Sequence, residues 1–407
     1  MSRDQQESGW MEGFPPPDDK VISIARGNHY NWPQLRWTVC NIQQLVPTKC
    51  IWRGPGVARP LELADAGLEH LIIDCDNGRK LSWHDALELT NTDGLAVLHR
   101  GVLVHESYLG YCDPHTTHLM MSCAKSFAGV LAEMLIDEGV LDENALIPQY
   151  LPELRGTAWQ DASLRQVMDM LVGLEFDEDY MNPGSEVWRY LRAGGMVTGE
   201  PGEGEPAHLA AYLETVPKQG EHGQAFAYRE PNINVLTFVI QRVTNRDLKD
   251  LVSERLWQHT GAEHDGLYMV DPVGTCTTAA CTLRDFLRFG ELMRTGGIGS
   301  RDSGAVDTAI IDKLVAGGGP ALFAKAQYPD GIMDGWSYKS QWWIRHKPGG
   351  NAACARGAHG QLLYVDPANE LVIARFGSSQ VSPGYTNDPV VMPMIDAITK
   401  RLSDSSG

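Results

Sequence analysis

Strand-forming runs lie in two places far apart in this chain, and helical periodicity fills most of the stretch between them. Leu95-Ala-Val-Leu-His99 and Val102-Leu-Val-His-Glu-Ser-Tyr108 are rich in β-formers and separated only by Arg100-Gly101, which predicts a hairpin. Toward the other end, Ser340-Gln-Trp-Trp-Ile-Arg345 alternates, and residues 361–365 and 371–376 read as strands joined across 366–370. Distant strands share a core most simply when one sheet is built from both parts of the chain. The expected fold is therefore mixed α/β (α+β): an antiparallel sheet flanked by helices, plus a mainly helical lobe. Residues 91–145 and 271–407 supply the sheet domain, 146–270 the inserted lobe, and 1–90 an N-terminal extension packed on the main body.

The longest helix signal runs over 122–138. Phe127, Val130, Leu131, Met134 and Leu135 recur at helical spacing, and Gly139 suits the position just past the end. Residues 116–121 lead into it. Further helices are expected over 164–171, 235–243, 282–293 and 390–402. A long loop spans 173–206 and ends in the acidic stretch Gly199-Glu-Pro-Gly-Glu-Gly-Glu-Pro206, read as a solvated connection. Residues 1–30 read as a polar arm and 31–90 as an irregular extension. There is no internal repeat.

Net charge is −18 over 407 residues, which disfavours nucleic acid or an anionic membrane as a partner. It would mildly attract cationic or zwitterionic small molecules. No run of about 18 apolar residues is present, so no membrane span is expected. Met1-Ser-Arg-Asp-Gln-Gln-Glu lacks the basic start and apolar stretch of a secretory signal, and the eight cysteines form no C-x-x-C pair. The expectation is a cytoplasmic protein with reduced thiols and no structural zinc.

Ser122-Cys-Ala-Lys125 carries the chemistry. A serine hydroxyl is a weak nucleophile until a neighbour takes its proton. A lysine three residues on lies on the same helical face, and burial favours the neutral amine that can accept that proton. The free N–H groups of a helix start can meet a developing oxyanion. Twenty serines and eleven lysines would give about half such a pair by chance, so the spacing alone is weak. Two later segments add weight: Phe226-Ala-Tyr228-Arg-Glu-Pro-Asn232, and Arg356-Gly-Ala-His-Gly-Gln-Leu-Leu-Tyr-Val-Asp-Pro367 at the start of a strand.

In order and separation these three segments resemble the class C β-lactamase-related serine hydrolases, a penicillin-recognising family that includes D,D-peptidases, D-aminopeptidases, esterases and 6-aminohexanoate-dimer (nylon oligomer) hydrolases. The last group is most similar, through Gly357-Ala-His359-Gly360-Gln361 and through Glu178-Asp-Tyr180-Met-Asn-Pro183. The resemblance covers about residues 90–400 and implies a β-lactamase/D,D-peptidase-like fold. Ser122 and Lys125 match the family's S-x-x-K. Tyr228 matches the tyrosine of its Tyr-x-Asn, where Glu230 is a departure at a position that touches the substrate amide in β-lactamases. Ala355-Arg356-Gly357 matches its Lys-Thr-Gly without the lysine, and a register shifted through His359-Gly360 is an alternative. The resemblance makes Ser122, Lys125 and Tyr228 catalytic. The N–H groups of Ser122 and Ala358 become oxyanion donors beside Gly357 and His359, and Tyr180 holds the scissile amide.

The implied activity is hydrolysis of a small amide or ester through an acyl-enzyme, with no metal or organic cofactor. Members are often homodimers. Carboxylesterase, D-amino-acid peptidase and β-lactamase are the neighbouring activities. Glu230 and the missing lysine count against β-lactams. A catalytically silent small-molecule-binding relative is the alternative of another class.

Other residues read more plainly. His115-Thr-Thr-His118 is expected as a turn with solvated histidines, and Asp271-Pro and Asp366-Pro as turn starters. Cys123 is expected to fill core. Trp336, Trp342 and Trp343 suggest strand packing first and a substrate wall second. Arg345 and Arg356 could meet a substrate carboxylate or form salt links.

Overall fold

The computed structural model describes residues 9–404 except 76–77, 181, 183, 198, 200–201, 203, 298–303 and 327. Its centre is a seven-stranded sheet. In chain order the strands of the whole structure are β1 (Thr48–Ile51), β2 (Ile72–Asp74), β3 (Lys80–Ser82), β4 (Thr92–His99), β5 (Val102–Tyr108), β6 (His118–Met121), β7 (Gly266–Val270), β8 (Cys276–Cys281), β9 (Ser337–Lys339), β10 (Trp342–Arg345), β11 (Ala352–Gly357), β12 (Gln361–Asp366) and β13 (Leu371–Gly377). The large sheet runs β5-β4-β13-β12-β11-β10-β9, every pair antiparallel. Leu371 pairs with His99 and Phe376 with Gly94, so the expected hairpin closes onto the last strand of the chain.

Strand residues alternate between two cores, as the period of two requires. Ala96, Leu98, Leu363, Val372 and Ala374 face the core that includes Phe286 and Phe289, from helix Leu283–Thr295. Leu95, Val97, Leu362, Tyr364 and Ile373 face the other, with Ile395 and Ile398 from helix Asp388–Asp404. Because helices cover both faces, these strands read as continuous apolar runs rather than as half-polar ones.

A second sheet, β1-β7-β8-β6, takes one edge strand from Thr48–Ile51, in the N-terminal extension. Residues 31–90, expected to be irregular, also hold helix Trp83–Leu89 and the β2–β3 pair. Strand β7 falls within the segment 146–270 that was expected to be helical. The 173–206 loop contains helix Glu186–Ala193, whose Val187, Tyr190 and Ala193 bury one face of two short turns. Part of the acidic stretch 199–206, and all of residues 1–8, lie outside the described residues.

His118 corrects an expectation. It is fully buried in β6, with Nε2 3.3 Å from Asp93 and its ring stacked on Phe376. Arg36 also donates to Asp93, at 2.5 and 3.0 Å, so the carboxylate holds two cationic-capable partners and a buried network ties residues 34–41 to β4 and β6. Strand pairing of β6 with β8 turns His118 inward, which the flanking polar residues concealed. His115 is exposed, 3.2 Å from His264.

Candidate active site

Ser122 opens a short 3-10 turn, Ser122–Ala124, directly after β6, and helix Lys125–Asp137 continues from it. Met121 makes the bend with φ 48° and ψ −136°. Such a conformation costs an ordinary residue on the order of 1–3 kcal/mol. The Thr278 hydroxyl donates to the Met121 carbonyl at 2.6 Å and pins it. In a 3-10 turn residues three apart eclipse one another. Lys125, only 7% exposed, therefore meets Ser122, and its Nζ donates to Ser122 Oγ at 2.7 Å.

The nucleophile helix is seated by a close approach. A Cβ on Gly129 would lie 1.9 Å from the Ser340 carbonyl, so only glycine lets the helix reach the turn before β10. Ser126 Oγ donates to the Gln341 carbonyl at 3.0 Å across the same contact. One turn on, buried Glu133 accepts from Arg165 and Lys313, at 2.7 and 2.8 Å, and from the Ser340 hydroxyl. Burial opposes its charge, but these partners outweigh burial and hold Glu133 down to about 2.

Tyr228 and Glu230 come from the segment ahead of helix Pro231–Thr244, with Pro231 at the first helical position. Glu230 Oε1 accepts from Lys125 Nζ at 2.8 Å and from Ser122 Oγ at 3.3 Å. Glu230, expected to touch substrate, lines the cavity and also completes a three-residue cluster with the serine and the lysine. Its position at a helix N-terminus suits a negative charge.

Lys125 Nζ also lies 5.3 Å from the centre of the Tyr228 ring, which stacks on Trp343 with centroids 5.4 Å apart. The Tyr228 hydroxyl is buried beside Ser122, and no full hydrogen bond fixes it. Burial and the Glu230 carboxylate push this phenol well above its ordinary range. At neutral pH it carries its proton. That leaves it suited to relay or donate a proton.

β11 brings Gly357 and Ala358 to the same cavity wall as Ser122. A Cβ on Gly357 would lie 2.7 Å from the Met120 carbonyl and 3.0 Å from Met121 Cβ, so glycine lets β11 press against the strand that delivers the serine. Gln361 Nε2 donates to the Ala358 carbonyl at 3.1 Å and to the Gly377 carbonyl at 2.6 Å, fixing the Ala358 peptide. Buried Arg375, pushed down to about 10 by burial, donates to the Gly360 carbonyl and to Thr90 O at 2.6 Å. His359 is turned elsewhere: Nδ1 lies 2.7 Å from the Ser379 carbonyl, and the ring stacks on Tyr30. Its side chain is a loop anchor, contrary to the substrate contact expected of it.

Tyr180 lies on the cavity rim, 38% exposed and edge-on to Trp188. Its neighbours Met181 and Pro183 lie outside the described residues. Glu178 also lines the cavity and accepts from the Glu230 N–H at 3.1 Å. Burial and the adjacent Glu230 carboxylate push Glu178 up to about 8.

The cavity holds about 540 Å³. Sequence reasoning missed Arg229, Lys325, Tyr328 and Tyr385 in its lining. Glu178 was in view only as a neighbour of Tyr180. Trp343 belongs to the wall; Trp342 is buried among core residues, and Trp336 packs on Arg356. Arg345 is a salt link, bidentate to Asp396 at 2.7 Å. Cys123 is fully buried core, as expected.

A buried lysine between a serine and a carboxylate, a phenol beside them and a glycine-tipped strand opposite are the parts an acyl-transferring serine hydrolase needs. The family model of beta-lactamase matches residues 90–390, and the chain belongs to that family. A 6-aminohexanoate-dimer hydrolase from Paenarthrobacter ureafaciens is 32% identical over 353 residues, covering 85% of this chain and 86% of that protein. A solved structure from Bacillus anthracis, provisionally described as a 6-aminohexanoate-dimer hydrolase, superposes with a TM-score of 0.83 at 24% identity, covering 96% of this chain and 99% of that one. EstCE1, a hydrolase with promiscuous acyltransferase activity, superposes at 0.60 with 15% identity, covering 78% of this chain and 96% of its own. No helix among the described residues is long and apolar enough to cross a membrane.

Proposed function

We propose that this protein is a serine hydrolase that cleaves a small linear amide, in the manner of a 6-aminohexanoate-dimer hydrolase, through an acyl-enzyme on Ser122. The observation that carries it is the contact of Lys125 Nζ with both Ser122 Oγ, at 2.7 Å, and Glu230 Oε1, at 2.8 Å. Lys125 and Glu230 act as one unit that accepts one proton: whichever of the two holds it, the pair gains a positive charge as Ser122 attacks. The N–H groups of Ser122 and Ala358 receive the oxyanion, each worth about 2.7–4 kcal/mol. Tyr228, protonated at rest, passes its proton to the leaving nitrogen and is refilled from the lysine pair. Tyr180, on the rim, steadies the amide. Water then enters and the same groups run in reverse to free the acid.

Eight free cysteines, seven of them buried, support a reducing, cytoplasmic setting. The first test is turnover of a 6-aminohexanoate dimer, short esters and nitrocefin by the wild type and by Ser122→Ala. The amide or ester should be cleaved and the variant should be folded and silent. Full activity of the variant on any cleaved substrate would overturn the assignment.

A further inference from the structure

The outer edge of the large sheet carries a side-chain cluster that the acyl transfer does not use. The order β5-β4-β13-β12-β11 puts three strands between edge strand β5 and the strand that walls the Ser122 cavity. Residues 63–66 of the N-terminal extension run along β5: the Ala64 N–H donates to the Leu103 carbonyl at 2.9 Å, and the Ala66 N–H to the Val104 carbonyl at 3.0 Å. Asp65 is held between those two bonds. Gly67, at φ 63°, then turns the chain back through the 3-10 turn Leu68–His70, anchored by fully buried Leu68. That turn returns Glu69 to the same edge. His105 meets them from β5, and one ligand atom from each of Asp65, Glu69 and His105 lies within 4.8 Å of the other two. The imidazole is 9% exposed and packs edge-on to Trp83, with centroids 5.0 Å apart; its Nε2 is buried without a hydrogen-bond partner. Nδ1 faces Glu69 Oε2 at 4.0 Å, beyond hydrogen-bonding reach. A buried polar ring left unmatched calls for a partner that the protein itself does not supply. Each carboxylate keeps one oxygen for such a partner. Asp65 Oδ1 accepts from the Gly67 N–H at 3.0 Å and Glu69 Oε1 lies 3.5 Å from His70 Nε2, which leaves Asp65 Oδ2 and Glu69 Oε2.

We propose that Asp65, Glu69 and His105 bind a divalent transition metal, best matched by zinc, and so staple the N-terminal extension to the edge of the sheet. One imidazole nitrogen and two carboxylate oxygens are zinc donors, and a water completes the tetrahedral set. Calcium asks for about six to eight oxygens and magnesium for a near-ideal octahedron of them, which one nitrogen and two carboxylates do not offer. Zinc bonds of about 2.0–2.2 Å place tetrahedral ligands about 3.4 Å apart, so the cluster closes by up to about 1.4 Å on binding. That closure falls to Asp65 and Glu69, whose side chains are exposed, while β5 and the Trp83 ring hold His105 still.

The experiment is calorimetric titration of zinc into the untagged full-length chain after stripping with EDTA. Cys50→Ser and His115→Ala are built in, because Cys50 is the exposed cysteine and His115 lies 3.2 Å from His264, the rival places for zinc. One zinc should bind per chain with a Kd of about micromolar or tighter, and should raise the melting temperature by several degrees. Asp65→Asn with Glu69→Gln, both at exposed positions, should weaken binding at least about 100-fold and abolish the thermal shift. His105→Gln should do the same, and the carboxylate pair decides the matter if that variant does not fold. Millimolar magnesium or calcium should leave the zinc in place. The absence of saturable binding, a Kd unchanged by the paired carboxylate substitutions, or displacement of zinc by calcium would overturn the proposal.

Discussion

Glu230 Oε1 lies 2.8 Å from Lys125 Nζ and 3.3 Å from Ser122 Oγ, so one carboxylate oxygen spans the two groups of the S-x-x-K motif. If Lys125 and Glu230 accept the serine proton together, removing the carboxylate charge takes away one of the two groups that can hold that proton. Glu230→Gln should lower kcat by about 100-fold with little change in KM. Steady-state kinetics and circular dichroism check this. A folded Glu230→Gln protein with wild-type kcat would remove Glu230 from the proton path.

Glu178 sets an alkaline limit. Its carboxyl is pushed up to about 8 by burial and by Glu230, so its charge appears in the cavity as pH rises through that value. The new anion should repel the neighbouring Glu230 carboxylate and disturb its pairing with Lys125, and kcat/KM should fall with an apparent pKa near 8. The fold feels the same shift. A raised carboxyl contributes stability fully present below its ordinary pKa and lost as pH rises through about 8. Glu178→Gln should therefore remove the alkaline limb and be more stable than wild type at pH 9. A limb that persists unchanged in the variant would assign it to another group.

Gly357→Ala probes the oxyanion wall. Its Cβ would lie 2.7 Å from the Met120 carbonyl, so β11 must retreat from the strand that delivers Ser122. Loss of one well-aimed donor costs about 100- to 1,000-fold in kcat. That drop should appear while the protein still unfolds in a cooperative transition in thermal melts. Unaltered kcat would show that the Ala358 N–H does no work.

The Glu133 network is structural. The buried carboxylate is held down to about 2, so its stabilising contribution is present above its ordinary pKa of about 4.5 and is lost as pH falls through about 2. That difference corresponds to about 3 kcal/mol. Arg165→Met, which strips one partner from a buried charge, should cost roughly 3–5 kcal/mol in urea denaturation at pH 7. It should also flatten the loss of stability between pH 4.5 and 2. A neutral effect would mean that Lys313 and Ser340 suffice.

Much of the sheet was legible because both faces are covered. Leu371-Val-Ile-Ala-Arg-Phe376 was legible as a strand and as the partner of 361–365; its second pairing, with β4, shows only in the folded chain. Ser122 and Lys125 were legible because a three-residue spacing brings their tips together in one helical turn. β1 was not legible: Thr48–Ile51 is too short to show a period. Glu230 was seen as a substrate contact, but its pairing with Lys125 was not, because a residue just ahead of a helix takes its partners from what the helix end faces. Arg229 and Tyr328 lie on loops, Lys325 and Tyr385 in short 3-10 turns, and only the folded chain gathers them around one space.

The account's central claim is a covalent bond at Ser122. Wild-type protein mixed with a slowly hydrolysed activated amide or ester should gain the mass of one acyl group, and peptide mapping by mass spectrometry should find it on the fragment holding Ser122-Cys-Ala-Lys125. Ser122→Ala should gain nothing. An acyl group on another residue, or turnover in a wild type that never gains the mass under rapid quench, would contradict it.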